Sequence, residues 1–176
     1  SWPRVSGVGC AYNAANTLAD CLTSLGELTY PDMEVIVVNA GSRDATGDIA
    51  RRHFHVRVLD LPNGGLSAAR NAGLAAATGE IIAYTDADVR VDPDWLTYLV
   101  QPFLNSDVAG VGGPNVVPAD DPWVSQCVAR APGGPIHVML DDRIAEHVPG
   151  CNMAFRKAAL PAAGGFNPVL RQSTHA

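Results

Sequence analysis

Short β-branched or apolar runs alternate along the chain with longer stretches of helical periodicity, which predicts an α/β fold with a mostly parallel central sheet flanked by helices. Two further observations agree. Val35-Ile36-Val37-Val38 and Ile81-Ile82-Ala83-Tyr84-Thr85 carry no charge, as strands covered on both faces do. Turn-forming groups, Asn39-Ala40-Gly41-Ser42 and Pro62-Asn63-Gly64-Gly65, punctuate the segments between them. At 176 residues the chain suffices for one hydrophobic core, so residues 1–176 are read as a single domain.

The elements follow in order. Arg4 to Ala11 is predicted as the first strand, and Asn13 to Leu25 as a helix on which Leu18, Cys21, Leu22 and Leu25 recur at helical spacing. Glu34 to Val38 is β-branched and forms the second strand; after the turn at Asn39 to Ser42, Asp44 caps a helix reaching about His53. Val56 to Leu61 is the third strand. Pro62 to Gly65 breaks it, and Ser67 to Thr78 is an alanine-rich helix whose small faces suit close packing on a sheet, with Gly79 as its C-cap. The strand from Ile81 comes next. Asp92-Pro93-Asp94 opens a helix to about Leu104, with Trp95, Leu96, Leu99, Val100 and Phe103 along one side. Beyond Asn105 the pattern loosens: Val108 to Val117 is a strand broken at Gly112-Gly113-Pro114, and Asp120 to His147 mixes short helical stretches with a break at Pro132-Gly133-Gly134-Pro135. Cys151 to Phe155 is a short strand, and Lys157 to Ala163 a helix that Pro161 shortens.

Composition excludes several classes of function. The net charge of −6 and pI near 5.2 argue against a nucleic-acid backbone or an anionic membrane surface as the main partner, and no apolar run is long enough for a membrane span. Cys10, Cys21, Cys127 and Cys151 are widely spaced without a Cys-x-x-Cys pair, which predicts buried free thiols in a reducing cytoplasm. The chain opens at Ser1, so a processed or cut N-terminus is expected. Two glycine pairs also fail as dinucleotide fingerprints. Gly7-Val8-Gly9 meets Tyr12, and Gly110-Val111-Gly112 meets Asn115, where a third glycine is required. Gly7 and Gly9 lie inside the first predicted strand, where each costs about 0.5–1 kcal/mol in backbone entropy.

Chemistry concentrates where the strand from Ile81 ends. If the extended conformation persists, Asp86 and Asp88 point the same way and offer hard oxygen donors to one divalent cation. Roughly two acid-x-acid triplets are expected by chance in a chain of this acidity, so the motif alone decides little. Position decides it, because open α/β sheets bind ligands beyond the carboxyl ends of their strands, where this pair lies and Asp92 and Asp94 do not.

Five blocks then occur in sequence. They are Ala11-Tyr12-Asn13, Glu34 to Ser42, Asn63-Gly64-Gly65-Leu66-Ser67-Ala68-Ala69-Arg70-Asn71-Ala72-Gly73, Thr85-Asp86-Ala87-Asp88, and Pro149-Gly150-Cys151-Asn152-Met153-Ala154-Phe155-Arg156 with Gly164-Gly165-Phe166. In this order they resemble family 2 glycosyltransferases of the GT-A fold. The resemblance implies transfer of a sugar from a nucleotide-sugar donor, usually a UDP-sugar, to an acceptor hydroxyl with inversion. The products implied are polysaccharides or glycolipids of the cell envelope, made in the cytoplasm or at the inner face of the cell membrane. It implies a donor-binding half over about residues 1–104 and an acceptor-side segment over about 105–176. Asp86 and Asp88 take the place of the motif that holds Mg²⁺ or Mn²⁺ against the donor diphosphate, where the ion would stabilise the charge growing on the leaving group. Tyr12 and Asn13 fall in the donor site, Tyr12 near the base, where its ring offers a π face; burial in the core is the alternative. Arg70 takes the place of an arginine that helps hold the donor, against the alternative of a surface ion pair. Gly150, Cys151 and Asn152 fall on the acceptor side.

Three departures qualify this resemblance. Ala40 stands where the family usually carries the acid that accepts a hydrogen bond from uracil, and losing a charged acceptor costs about 1.5–3 kcal/mol. Gly7 and Gly9 interrupt a strand that is normally Val and Ile. The carboxylate that serves as catalytic base would follow Gly164-Gly165-Phe166 by about ten residues, yet only Glu146 follows Asp142, so no catalytic residue is identified and the domain is expected to be incomplete at its C-terminus. His175 is the basic group near that place, beside the chain end. A non-catalytic, degenerate module of the same fold is therefore the alternative function.

Overall fold

The computed structural model describes residues 1–117, 120–129, 138–139 and 145–169. The break at Pro132-Gly133-Gly134-Pro135 and His175 lie outside the described residues. Strand β1 (Val5–Ala11) leads through α1 (Leu18–Gly26) to β2 (Met33–Asn39), then α2 (Thr46–Arg52), β3 (Val56–Asp60), α3 (Leu66–Ala76), β4 (Ile81–Asp86) and α4 (Trp95–Asn105). Short pieces follow: β5 (Gly110–Gly112), α5 (Trp123–Ala129), β6 (Val138–Met139), β7 (Ala145–His147), β8 (Met153–Arg156) and α6 (Ala159–Ala162).

Six strands form one sheet in the order β3-β2-β1-β4-β8-β5. The first four are parallel, as the alternation of strand and helix requires, and β8 runs antiparallel to both β4 and β5. From β1 the chain winds outward through β2 to β3, then crosses back to place β4 on the other side of β1. That reversal opens a crevice at the carboxyl ends of β1 and β4, the place where such sheets take ligands.

Both faces of the sheet are covered. Val5, Val37, Ile81 and Ala83 pack with Leu22 of α1 and Leu96 of α4, while Val8, Ile36, Val38, Ile82 and Tyr84 pack under Ala69 and Leu74 of α3. Small residues let α3 lie close, since a Cβ on Gly73 would come within 2.4 Å of Val8 Cγ1. Gly79 has a similar reason to be bare: a Cβ there would stand 2.6 Å from Ser6 N. It is not the helix cap expected from sequence, because α3 ends at Ala76 and Ala77 is already extended.

Strand β1 is thin on one face. Gly7 and Gly9 are both buried, yet a Cβ on Gly9 would meet nothing within 4 Å and one on Gly7 only Glu34 O at 3.7 Å. Thr85, the β4 partner of Gly9 in register, is 2% exposed, and its Oγ1 is buried without a hydrogen-bond partner. The glycines therefore answer no close approach and leave room beside an unpaired hydroxyl.

Helix α1 begins at Leu18, five residues later than its periodicity predicts, and other partners for the backbone explain the delay. Asn13 is left-handed at φ 49° and donates its N–H to Ser42 Oγ at 3.0 Å, Ala14 N donates to Thr46 Oγ1 at 2.8 Å, and Ala15 N donates to Asp44 Oδ2 at 3.1 Å. The loop after β2 thus binds the amides that would have opened the helix.

Candidate functional site

The carboxyl ends of β1 and β4, with the loops after β1 and β2 and the start of α3, enclose an open cleft of about 720 Å³. Its lining includes Tyr12, Asn13, Ala40, Asp86 and Asp88 from the expected site residues, and Thr17, Asn63, Leu66 and Ala69, which sequence reasoning did not assign. Tyr12 is 44% exposed at the rim and so is not a core aromatic. Ala40 is 7% exposed, its amide donating to Ala11 O at 2.9 Å, and it presents only a methyl group to the cleft.

The wall behind Tyr12 and Ala40 is a closed hydrogen-bond network. Asn13 Oδ1 accepts from Arg43 N at 2.9 Å, tying the two loops from the opposite direction to the Asn13 amide. Asn39 donates from Nδ2 to Asp60 Oδ1 at 2.8 Å, and its Oδ1 accepts from Ser42 N at 3.3 Å. That bond from Asn39, with Arg51 adding to it, holds the Asp60 carboxyl below the usual range. Gly41 is left-handed at φ 76°, and a Cβ there would fall 2.7 Å from Asn63 N, so this turn admits no side chain.

The opposite wall carries the acids. β4 ends at Asp86 and the chain turns at once, with Val89 N donating to Asp86 O at 3.2 Å. Asp86 and Asp88 thus reach one cleft through a tight turn, and continued strand alternation is not what aligns them. Burial pushes the Asp86 carboxyl above the usual range; Arg70 pulls it down and Asp88 raises it further. A desolvated carboxylate beside a second one is a group that gains from a cation. Among the described residues no group of three His, Cys, Asp or Glu side chains converges on a metal. Two carboxylates nonetheless suit Mg²⁺ or Mn²⁺ when a bound diphosphate supplies further oxygens, so the residues present fit such an ion.

Arg70 lies behind Asp86 and is absent from the cleft lining. Its Nη2 donates to Gly150 O at 3.0 Å and stands 3.6 Å from Asp86 Oδ1, and its guanidinium lies over the Phe166 ring, 5.5 Å from the centroid. Gly150 leaves it room, since a Cβ there would come within 2.6 Å of Nη2. Asn71 next in the helix secures the same region, donating to Phe166 O at 2.7 Å and accepting from Phe166 N at 2.9 Å. Phe166 was marked in sequence only by the Gly-Gly-Phe block, and nothing there signalled that it would stack on Arg70.

The remaining expected residues are more structural in their contacts. Asn152 accepts from Trp95 Nε1 at 2.9 Å and donates to Pro114 O at 2.8 Å, pinning β8 to α4 and to the loop after β5. Cys151 accepts from Asn115 Nδ2 at 3.2 Å; burial raises its pKa, with smaller upward contributions from Asp86 and Asp88. Cys10 and Cys21, both beside Asp86, are pushed up to about 12 chiefly by burial, so all three are held as thiols and not as nucleophiles. The cysteines are free, but of the buried thiols expected from sequence Cys21 is buried, Cys10 and Cys151 are half-buried and Cys127 is exposed. Among the described residues no helix is long and apolar enough to cross a membrane.

Residues 8–162 match the family model described as glycosyl transferase family 2. The chain is 35% identical over 112 residues to the glycosyltransferase GlyA of Streptococcus pneumoniae, a match covering 60% of this chain and 16% of that protein. Among solved structures it is similar to the mannosyltransferase PcManGT of Pyrobaculum calidifontis in complex with GDP-Man and Mn²⁺, with TM-score 0.74, 25% identity, and coverage of 96% of this chain and 48% of that one. It also shares its fold with S. aureus TarS 1-349 in complex with UDP-GlcNAc, with TM-score 0.66, 22% identity, and coverage of 92% and 47%. The chain thus spans about half the length of these structures and less of the curated relative.

Proposed function

Because the chain belongs to glycosyl transferase family 2, we propose that it forms the donor site of an enzyme that transfers a sugar from a nucleotide-sugar, of the UDP-sugar class, to an acceptor hydroxyl with inversion. One observation carries this reading: Asp86 and Asp88 stand in one cleft with Tyr12 and Ala40 at the carboxyl ends of β1 and β4. Tyr12 and Ala40 border the base end. Asp86 and Asp88 would hold Mg²⁺ or Mn²⁺, which when bound supplies positive charge to the departing nucleoside diphosphate. Asn13, through its bonds to Ser42 and Arg43, keeps the base end in shape. The loop at Gly150, Cys151 and Asn152 adjoins the acids and is assigned to the acceptor side, with the acceptor a growing glycan or glycolipid.

Isothermal titration with UDP in the presence and absence of Mn²⁺ tests the reading. Metal-dependent UDP binding that disappears in Asp88→Ala is expected. Binding indifferent to both chelator and this substitution would remove the acids from the donor site.

A second reading has a specific observation behind it. The Ala40 side chain offers no acceptor to a uracil edge, which favours a non-catalytic module. Turnover of a panel of UDP-sugars separates the two. General-base assistance is worth about 10²–10⁴ in rate, and a chain lacking it should fall short by that factor of one extended with a carboxylate-bearing tail. Transfer by the unextended chain that is lost in His175→Ala would assign the base to that histidine.

A further inference from the structure

Two facts about the acid wall pull against each other: among the described residues the cleft is lined by two carboxylates, and a guanidinium is fixed directly behind one of them. Arg70 Nη2 is 3.6 Å from Asp86 Oδ1, and the side chain is only 13% exposed. It cannot swing away without cost, because Gly150 O accepts from the same nitrogen at 3.0 Å and the Phe166 ring lies under the guanidinium. Neither of those partners belongs to the cleft lining. The positive charge therefore stays at Asp86 whether or not anything occupies the cleft.

We propose that Arg70 is a fixed counter-charge that keeps Asp86 and Asp88 from binding a divalent ion alone, so that metal and donor diphosphate enter the site only as a pair. The inference rests on the donor-site reading above and adds to it the residue that sets the order of binding. With Arg70 in place, two carboxylates present one net negative charge to a doubly charged ion. No third His, Cys, Asp or Glu among the described residues completes the coordination. A diphosphate brings to the ion both the missing oxygens and the missing negative charge, and Arg70 stays paired behind Asp86. Linkage makes the effect reciprocal: the factor by which nucleotide raises metal affinity is the factor by which metal raises nucleotide affinity, and such factors run to about 5–150-fold.

Arg70 acts here through Asp86, so it is a positioning and charge-setting residue, and its test reads metal binding directly. Free Mn²⁺ is followed by electron paramagnetic resonance as it is titrated into this chain, with and without UDP, for the wild type, Arg70→Met, Arg70→Gln and Arg70→Lys. Thermal melting identifies the variants that remain folded. The wild type should bind Mn²⁺ at least about tenfold more tightly with UDP than without. Both neutral variants should gain affinity for Mn²⁺ alone and lose most of that coupling, while Arg70→Lys keeps it. A purely structural Arg70 predicts the opposite sign, weaker Mn²⁺ binding as Asp86 loses its support. If either folded neutral variant binds Mn²⁺ alone no better than the wild type does, while the wild type still shows UDP-dependent binding, this inference falls and the donor-site reading stands. If Mn²⁺ binds none of the four proteins, with or without UDP, both fall.

Discussion

Along the wall built from the loops after β1 and β2, nearly every polar group is spent on another: Asn13 on Ser42 and Arg43, Asn39 on Asp60 and Ser42, Thr46 on Ala14 and Asp44. Along the wall built from the end of β4, Asp86 is half-buried beside one fixed cation at 3.6 Å and Asp88 is exposed. The first wall is finished before any ligand arrives and can select by shape. The second keeps a net negative charge at the acids beside Arg70, which suits a cation that arrives together with a diphosphate. A donor with a flat base and a charged diphosphate would thus meet a stiff surface at one end and an electrostatically incomplete one at the other.

The contrast breaks most decisively at the acids. Asp88→Ala should reduce UDP affinity in Mn²⁺ to that measured with a chelator, a loss of about a hundredfold if the ion contributes about 2.7 kcal/mol; calorimetry checks this. If shape alone governs the first wall, Ala40→Asp should tighten UDP by about ten- to a hundredfold, corresponding to 1.5–3 kcal/mol for a charged acceptor, and leave a nucleotide without the uracil edge unchanged. Equal affinities of the two forms for UDP would take Ala40 out of the base end.

Stability measurements sharpen the same comparison with smaller effects. Thr46 is fully buried, and Thr46→Val leaves the Ala14 amide without its acceptor, so urea denaturation should show a loss of about 1–3 kcal/mol. The second wall should show the reverse. The Asp86 carboxyl is raised in the fold, so its contribution to stability is present at low pH and is lost as pH rises through the folded value. Asp86→Asn should remove that loss, making the metal-free protein at neutral pH more stable than the wild type while abolishing metal binding. A melting temperature that moves with pH identically in both forms would contradict this. The smallest effect belongs to β1: Gly9→Ala adds a methyl where nothing lies within 4 Å and should stabilise by about 0.5–1 kcal/mol.

The four parallel strands and the acid pair were legible in sequence because their signals are local. β-branched runs closed by Asn, Gly and Asp mark where a strand stops, and in a parallel sheet those stops share one edge. What was not legible depends on distant partners. Helix α1 starts late because amides at 13–15 bond to Ser42, Asp44 and Thr46, and no periodicity within the helix encodes that competition. Arg70 looks like any early helical arginine until Gly150 and Phe166 fold back on it. The turn at Ala87 was equally hidden, since alternation along a strand says nothing about the residue at which the strand ends.

The pairing of β4 with β8 bears on how the molecule is made. β4 lies inside the sheet between β1 and β8, and Ile81 to Tyr84 find their second set of partners only at Met153 to Arg156. The Asn71 amide likewise waits for Phe166, 95 positions later. At synthesis rates of about 5–20 residues per second, the nascent chain holds β4 with one open edge for several seconds after its other neighbours are complete. An unpaired edge of apolar residues is a template for foreign strands, so during this interval the nascent chain is open to aggregation at β4. The strand that carries the acids is thus the last interior strand of the parallel set to be closed.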